Sequence, residues 1–149
     1  MNKNKNTNIN FKRIMSALLS VIMICGALSL TSCGKEEPIV IKESETCIII
    51  KTNAEAPDVS LIDYMASLKE KGDLEFEVQN SMVTSINGIE NPADYSKCWM
   101  LYTSDSENAN AAWGTVEYDE TVYGSAIVGA EALKIKPNNL YIWVFKSFN

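Results

Sequence analysis

The sequence predicts an α+β domain in which one main helix packs on a mixed sheet of about five to six strands. Three observations predict this class. There is a single amphipathic helical segment, there are several short apolar or alternating runs typical of strands, and turn signals separate them. The chain has 149 residues, which is enough for one domain of ordinary size.

The first predicted strand extends from about Ile39 to Thr52 and is interrupted by a polar stretch at residues 42–45. Its core piece contains three successive isoleucines, at positions 48, 49 and 50. Successive side chains of a strand point to opposite faces, so an unbroken apolar run predicts a strand that is covered on both faces.

The main helix is predicted to begin at Pro57 and Asp58. Ser60 and Asp63 have the spacing of a capping box, and Gly72 is suited to end the helix. One apolar stripe at helical spacing is predicted to face the core, and it consists of Leu61, Ile62, Met65 and Leu68.

The other predicted strands follow the helix. Residues 74–78 alternate strictly between apolar and acidic side chains, so one face of this strand is expected to be wet. A second short strand ends at Asn87-Gly88, a pair that can take positive φ at both positions of a tight turn. Further strands are expected at residues 98–102, in pieces of 113–128, at 131–136 and at 140–145, and a loop at 104–112.

The amino-terminal segment has the pattern of a targeting signal. Residues 1–35 contain no acidic residue, and a basic start is followed by an apolar run about as long as a bilayer is thick. The sequence Leu30-Thr31-Ser32-Cys33-Gly34 then resembles a bacterial lipobox, in which a leucine and small residues precede the lipidated cysteine.

This resemblance implies a cleaved lipoprotein signal peptide at 1–32, lipidation at Cys33, a short tether at 33–38 and a domain at 39–149. The protein is then expected on the extracytoplasmic face of a bacterial cell membrane, held by its lipid anchor. The alternative is a retained membrane helix with an incidental cysteine. Both interpretations place the domain outside the cytoplasmic membrane.

The charge and the missing residue types exclude several functions. After Arg13 the chain has nine basic and 19 acidic residues, a net charge of −10, so nucleic-acid partners are not expected. There is no histidine, no Cys-x-x-Cys and no phosphate-binding glycine loop. We therefore predict a binding protein rather than an enzyme, with no catalytic residue, no metal ligand and no cofactor.

Processing of the signal would leave two cysteines, Cys47 and Cys98, because Cys25 departs with the signal peptide. An even pair in an oxidising compartment is typical of a disulfide. The alternative is two separate buried thiols, and the sequence leaves both open.

An ordered set of motifs resembles the transcobalamin-like C-terminal domain family over residues 58–146. The motifs are Thr84-Ser85-Ile86-Asn87-Gly88-Ile89, Trp99-Met100-Leu101-Tyr102, Gly129 and Tyr141-Ile142-Trp143-Val144-Phe145. The chain departs from the family at two hairpin tips, where Asn138-Asn139 replaces the usual Gly-Asp and Thr103-Ser104-Asp105-Ser106 replaces Val-Asn-Gly. The resemblance implies a β-grasp-like domain.

The resemblance also implies a binding role: the capture of a small nutrient, such as a corrinoid (a cobalamin-like ligand), and its delivery to a transporter. The candidate ligand-binding residues are Asn87, Gly88, Trp99, Tyr102, Trp113 and Tyr123. We expect the Asn87-Gly88 turn to place the 89–97 loop beside the 104–128 segment, so that both form the rim of the site. The alternative is a surface module that binds another protein or the matrix through a sheet edge or the 104–128 segment.

Overall fold

The computed structural model describes residues 39–147, which form one helix and nine strands. The predicted signal peptide, Cys33 and the tether lie outside the described residues. The elements are β1 (Ile39–Ser44), β2 (Cys47–Lys51), α1 (Leu61–Lys71), β3 (Phe76–Gln79), β4 (Met82–Ile86), β5 (Ile89–Glu90), β6 (Lys97–Thr103), β7 (Ala109–Tyr118), β8 (Thr121–Ala126) and β9 (Leu140–Ser147). Between residues 39 and 147, no helix has the length and apolar character needed to cross a bilayer.

Six of the strands form one sheet in the order β1-β2-β9-β6-β8-β7. Every pairing in this sheet is antiparallel. The α+β class is confirmed, but the prediction of a mixed sheet is wrong. The β1–β2 and β7–β8 pairs are joined by two-residue turns, which connect only antiparallel strands. The carboxy-terminal strand β9 enters between β2 and β6 and runs antiparallel to both.

The core of the domain lies on both faces of this sheet, as the isoleucine run predicts. Ile48 and Ile50 belong to the cluster beneath the helix, whereas Ile49 belongs to a second cluster on the opposite face. All three side chains are fully buried. The β7–β8 hairpin covers part of the second face, because Val116 and Tyr123 pack against this cluster.

The helix is fixed at both ends by local contacts. It begins at Leu61 rather than at Pro57, with Ser60 as the N-cap whose hydroxyl oxygen accepts a hydrogen bond from the Asp63 amide at 3.2 Å. Gly72 ends it with a φ of 82°. The buried stripe agrees with the prediction except that Tyr64 is buried and Ile62 only partly so: it consists of Leu61, Tyr64, Met65 and Leu68.

The strand predicted at residues 131–136 is wrong, because this segment forms only an isolated bridge between Lys134 and Ser60. Backbone carbonyl groups of residues 130–133 instead accept hydrogen bonds from the first residues of the helix. The Leu61 amide donates to the Leu133 carbonyl at 2.7 Å, and the Ile62 amide donates to the Ala130 carbonyl at 3.1 Å. The segment thus satisfies amides that a helix start leaves without intrahelical partners.

A long hairpin takes up the last four residues of the predicted 104–112 loop, and residues 104–108 remain a loop. Strand β7 already begins at Ala109, and its register with β8 shifts between Asn110 and Thr115. Residues 111–114 therefore have no paired residues on β8 and form a long bulge in the edge strand β7. Trp113 lies in it with 62% of its surface exposed.

Candidate functional site

The remaining three strands form a small antiparallel sheet in the order β3-β4-β5. Its apolar face packs on the main core through the buried Val83 and Ile86, with Phe76 and Ile89 beside them. The other face carries polar residues and two clefts, which are described below. The small sheet is therefore a platform that is held from behind by the core.

The turn between β4 and β5 has the predicted geometry. Asn87 has a φ of 48° and Gly88 a φ of 81°, and Ile86 pairs directly with Ile89 across the turn. The Asn87 side-chain oxygen also accepts from the Glu75 amide at 3.1 Å, while the Asn87 amide donates to the Glu75 carbonyl at 2.8 Å. Asn87 thus fixes the chain that leads into β3.

The loop after β5 is held by Asn91. Its amide nitrogen Nδ2 donates to the Val83 carbonyl at 3.2 Å, and its Oδ1 accepts from the Trp99 backbone amide at 3.1 Å. The backbone amide of Asn91 donates to the Thr84 carbonyl at 2.8 Å. One side chain therefore connects the small sheet to β6 of the main sheet.

Three polar side chains lie in a row across the small sheet. Glu77 on β3 pairs with Ser85 on β4, and Ser85 pairs with Glu90 on β5. We call Glu77, Ser85 and Glu90 the acidic row. The register shifts between Glu77 and Val78, which leaves Thr84 as an extra residue of β4 beside Ser85. Such a bulge re-aims neighbouring side chains and is common at functional sites.

Two clefts adjoin the acidic row, and both are lined by Glu77 and Glu90. The larger cleft has a volume of about 640 Å³ and is lined by Glu77, Val78, Gln79, Thr84, Glu90, Asn91, Pro92, Ala93 and Tyr95. The smaller cleft has a volume of about 470 Å³ and is lined by Lys69, Glu75, Phe76, Glu77, Ser85, Asn87, Gly88 and Glu90. Because they share the two glutamates, the two clefts are neighbours.

The charge of these clefts is negative. Of the described residues that line the two clefts, only Lys69 is basic, and its ammonium is already engaged. It donates to the Phe76 carbonyl at 3.0 Å and lies 3.3 Å from the Glu75 carboxylate. Glu77 and Glu90 have no ion-pair partner among residues 39–147, so their charges face the clefts.

The loop that borders the larger cleft has a defined shape. Tyr95 has a φ of 52°, which is uncommon for a bulky residue, and 48% of its surface is exposed. Next to it, the Ser96 backbone amide and then the Ser96 hydroxyl donate to the Asp94 carboxylate, and these bonds lower the pKa of Asp94 below its ordinary value. The local bonds present the Tyr95 ring at the edge of the cleft.

The structure does not bring the six predicted ligand-binding residues into one site. Asn87 and Gly88 line the smaller cleft. Trp99 and Tyr102 are buried, and they belong to the clusters on opposite faces of the main sheet. Their alternation along β6 separates them, since residues three apart in a strand point to opposite faces.

Trp113 and Tyr123 lie on the β7–β8 hairpin, and neither lines the two clefts. Trp113 is exposed, whereas Tyr123 packs against the second core cluster. The 89–97 loop enters β6 at Lys97, but β8 pairs with β6 only at its other end, at Tyr102 and Thr103. The expected rim of the 89–97 loop and the 104–128 segment is therefore not formed.

Of the two alternatives that the sequence left open for Cys47 and Cys98, the structure has the free thiols and not the disulfide. Strand β9 lies between β2 and β6, where Cys47 pairs with Val144 and Cys98 pairs with Lys146. Two strand spacings place the cysteine Cα atoms roughly 10 Å apart or more, beyond the reach of about 7 Å for a disulfide. The Cys98 thiol instead donates to the Met100 sulfur at 3.7 Å.

The sequence did not identify Glu77, Ser85, Glu90 or Tyr95 as site residues. The alternation at residues 74–78 did place Glu77 on a wet face, and this was the available signal. The neighbours of Glu77 depend on strand register, which that pattern does not reveal.

Within residues 39–147 no cluster of three or more acidic or cysteine side chains has the arrangement of a metal site. No known protein family, curated protein or solved structure matches this chain.

Proposed function

We propose that this protein is a lipid-anchored, extracytoplasmic binding protein that captures a small molecule at the two clefts of the small sheet. The observation that carries the proposal is the concave surface around the acidic row, whose two glutamates have no ion-pair partner among the described residues. Small-molecule sites are typically concave, with a few convergent polar groups beside apolar walls.

The position of the clefts in the fold supports capture from outside the cell. Strand β1 starts at Ile39, directly after the proposed tether, and Ile39 pairs with Lys51, which pairs with Leu140. The loop that borders the larger cleft joins the opposite end of the main sheet, at Lys97, which pairs with Ser147. Strand β6 spans the distance between these ends, about 20 Å at 3.3 Å per residue. The larger cleft thus lies away from Ile39, where the proposed tether would join the domain.

The transcobalamin-like resemblance is part of this proposal, as is the β-grasp-like description of the fold. A corrinoid is the ligand that the resemblance implies, and it would need a broad aromatic surface. Trp99 and Tyr102 are buried, and Tyr95 is the exposed aromatic residue at the clefts. We therefore propose a ligand smaller than a corrin ring, with a transporter as the next recipient.

The test is to purify the protein from its native host without refolding and to analyse it by mass spectrometry and absorbance. We expect a small molecule that is released on denaturation and is lost from a variant with Tyr95→Ala. The absorbance spectrum of a corrinoid would show that the ligand is the one that the resemblance implies, and not a smaller molecule. The capture function would be contradicted if the purified protein carried no small molecule and also bound none when it was mixed with a host extract.

The anchor is tested by Cys33→Ser. This change removes the thiol that receives the diacylglycerol, whose two chains hold a protein on a membrane with about 0.8 kcal/mol for each buried CH₂. We expect no labelled fatty acid and an accumulated precursor. Normal labelling and processing of the variant would show that the lipobox interpretation is wrong.

A second function is favoured by the β7–β8 hairpin. Strand β7 is at the edge of the main sheet, and Trp113 and Val122 are each 62% exposed on this hairpin. Exposed aromatic and branched side chains beside an edge strand are typical of protein-binding surfaces. A photo-crosslinking residue in place of Trp113 should capture a defined surface protein in living cells if this function is right, and one in place of Glu70 on the helix should not.

A further inference from the structure

We infer that the two clefts form one site for a primary alkylammonium compound, with the ammonium at the acidic row and the alkyl chain against Tyr95. This inference rests on the proposed function and names the ligand class of the same site. It is carried by the oxygen atoms of the row, the unpartnered Ser85 hydroxyl, the charge of the clefts and their apolar wall.

The acidic row matches the hydrogen-bonding capacity of an ammonium group. A primary ammonium has three N–H donors and no acceptor. Glu77, Ser85 and Glu90 present oxygen acceptors from three neighbouring strands in one line. Bonds from a cationic donor to a carboxylate are among the strongest in proteins. An anionic ligand would meet repulsion from both glutamates.

Ser85 is the second observation that points to a ligand. The residue is 5% exposed and lines the smaller cleft between the two glutamates. Its hydroxyl has no hydrogen-bond partner among residues 39–147 and opens into the smaller cleft, where a ligand can reach it. An ammonium at the row would donate a hydrogen bond to this oxygen.

The charge around the row favours a cation. The described residues that line the larger cleft include two carboxylates and no basic side chain. In the smaller cleft, the Lys69 ammonium is bound to the Phe76 carbonyl and the Glu75 carboxylate, so it does not neutralise the row. The domain as a whole carries excess negative charge, which raises the local concentration of cations.

The larger cleft also offers an apolar wall for the rest of the ligand. Val78 is 39% exposed and Tyr95 48% exposed, and both line the cleft together with Pro92 and Ala93. An alkyl chain that leaves the ammonium would cover these side chains and remove apolar surface from water. The wall therefore favours an alkylammonium over an inorganic cation.

The experiment uses the mature lipid-anchored protein in a neutral detergent. It is titrated by calorimetry with hexamethylenediamine, hexanediol and adipate, which share one chain length and differ in charge. We expect the diamine to bind at least about tenfold more tightly than the diol or the dicarboxylate. Added salt should weaken binding of the diamine because exposed carboxylates are screened.

Two matched double variants locate the binding site. Glu77→Gln with Glu90→Gln should weaken diamine binding about tenfold or more, because two charge-assisted bonds are lost. Glu117→Gln with Glu120→Gln removes the same charge from the β7–β8 hairpin and should leave the affinity unchanged. Ser85→Ala should weaken binding a few-fold while the thermal unfolding midpoint stays within a few degrees of the parent.

The outcomes separate this inference from the proposed function. Equal losses in both double variants would show that net charge alone attracts the diamine and would overturn the site. A diol that binds as tightly as the diamine, or the absence of diamine binding, would overturn the ammonium class. A native ligand that carries no amine would do the same while supporting capture, whereas a native amine supports both.

Discussion

The indole nitrogen of Trp99 donates a hydrogen bond of 2.8 Å to the carbonyl oxygen of Ile89, and this bond joins the main sheet to the small sheet. Trp99 lies on β6, with 4% of its surface exposed, and Ile89 follows the Asn87-Gly88 turn. The residue predicted to contact a ligand is therefore a support for the platform that carries the clefts.

Trp99→Phe should lower the free energy of unfolding by about 1–3 kcal/mol, because the Ile89 carbonyl loses its donor in a buried position. Denaturant unfolding measures the change. Trp113→Phe is the matched control, and we expect it to stay within about 0.5 kcal/mol of the parent because Trp113 is exposed. Equal effects of the two changes would contradict the supporting role of Trp99.

Gly88→Ala should destabilise the domain by about 1–2 kcal/mol, because a Cβ is disfavoured at a φ of 81°. No atom lies within 4 Å of the added Cβ, so the cost is conformational rather than steric crowding. Gly129→Ala also adds a Cβ to open space, but without a positive φ, and should leave stability unchanged or slightly raised. Thermal unfolding of both variants tests the turn, and an unaffected Gly88→Ala would refute its geometry.

The domain should become less stable in acid because the carboxylate of Asp105 is protonated there. Burial would raise the pKa of Asp105, but bonds from Lys136 at 2.8 Å, Asn108 at 2.7 Å and the Glu107 amide together hold it below its ordinary value. A lowered folded-state pKa contributes stability that is complete above the unfolded value of about 3.9 and is lost as the pH falls through the folded value.

We therefore expect the free energy of unfolding to drop below about pH 4, and Asp105→Asn to reduce that drop. At neutral pH the same substitution should lower the free energy of unfolding by about 1–3 kcal/mol. Asp105 is 4% exposed, and the substitution weakens its buried hydrogen bonds. Asp58→Asn is the control, because the exposed Asp58 lies 3.8 Å from Lys134 and such pairs contribute less than about 1 kcal/mol. If the free energy of unfolding fell equally with pH in the parent and in Asp105→Asn, Asp105 would not be the cause of the loss of stability in acid.

Thiol titration tests the cysteines. Unfolded, unreduced mature protein should contain two free thiols, Cys47 and Cys98. In the folded protein both should react slowly, because burial raises the pKa of each thiol, and Glu43 raises that of Cys47 further. Cys47 should react first, since Cys98 is 4% exposed. Loss of both thiols without reductant would show a disulfide that this strand order does not allow.

The sequence by itself determined the features that depend on neighbouring residues. Ser60, Asp63 and Gly72 fix the ends of the helix within a few residues, and Asn87-Gly88 fixes its turn. The isoleucine run of β2 correctly indicated a strand with a core on each face. These features follow from backbone preference and side-chain periodicity, which act over one or two turns of chain.

Only the tertiary structure decided which distant segments meet. The entry of β9 between β2 and β6 separates the cysteines, and pairing with the start of the helix removes residues 131–136 from the sheet. One extra residue, Thr84, sets Ser85 between Glu77 and Glu90 and so defines the candidate site. Strand order and register are set by the burial of whole faces and the pairing of backbone groups far apart in sequence, which local patterns do not encode.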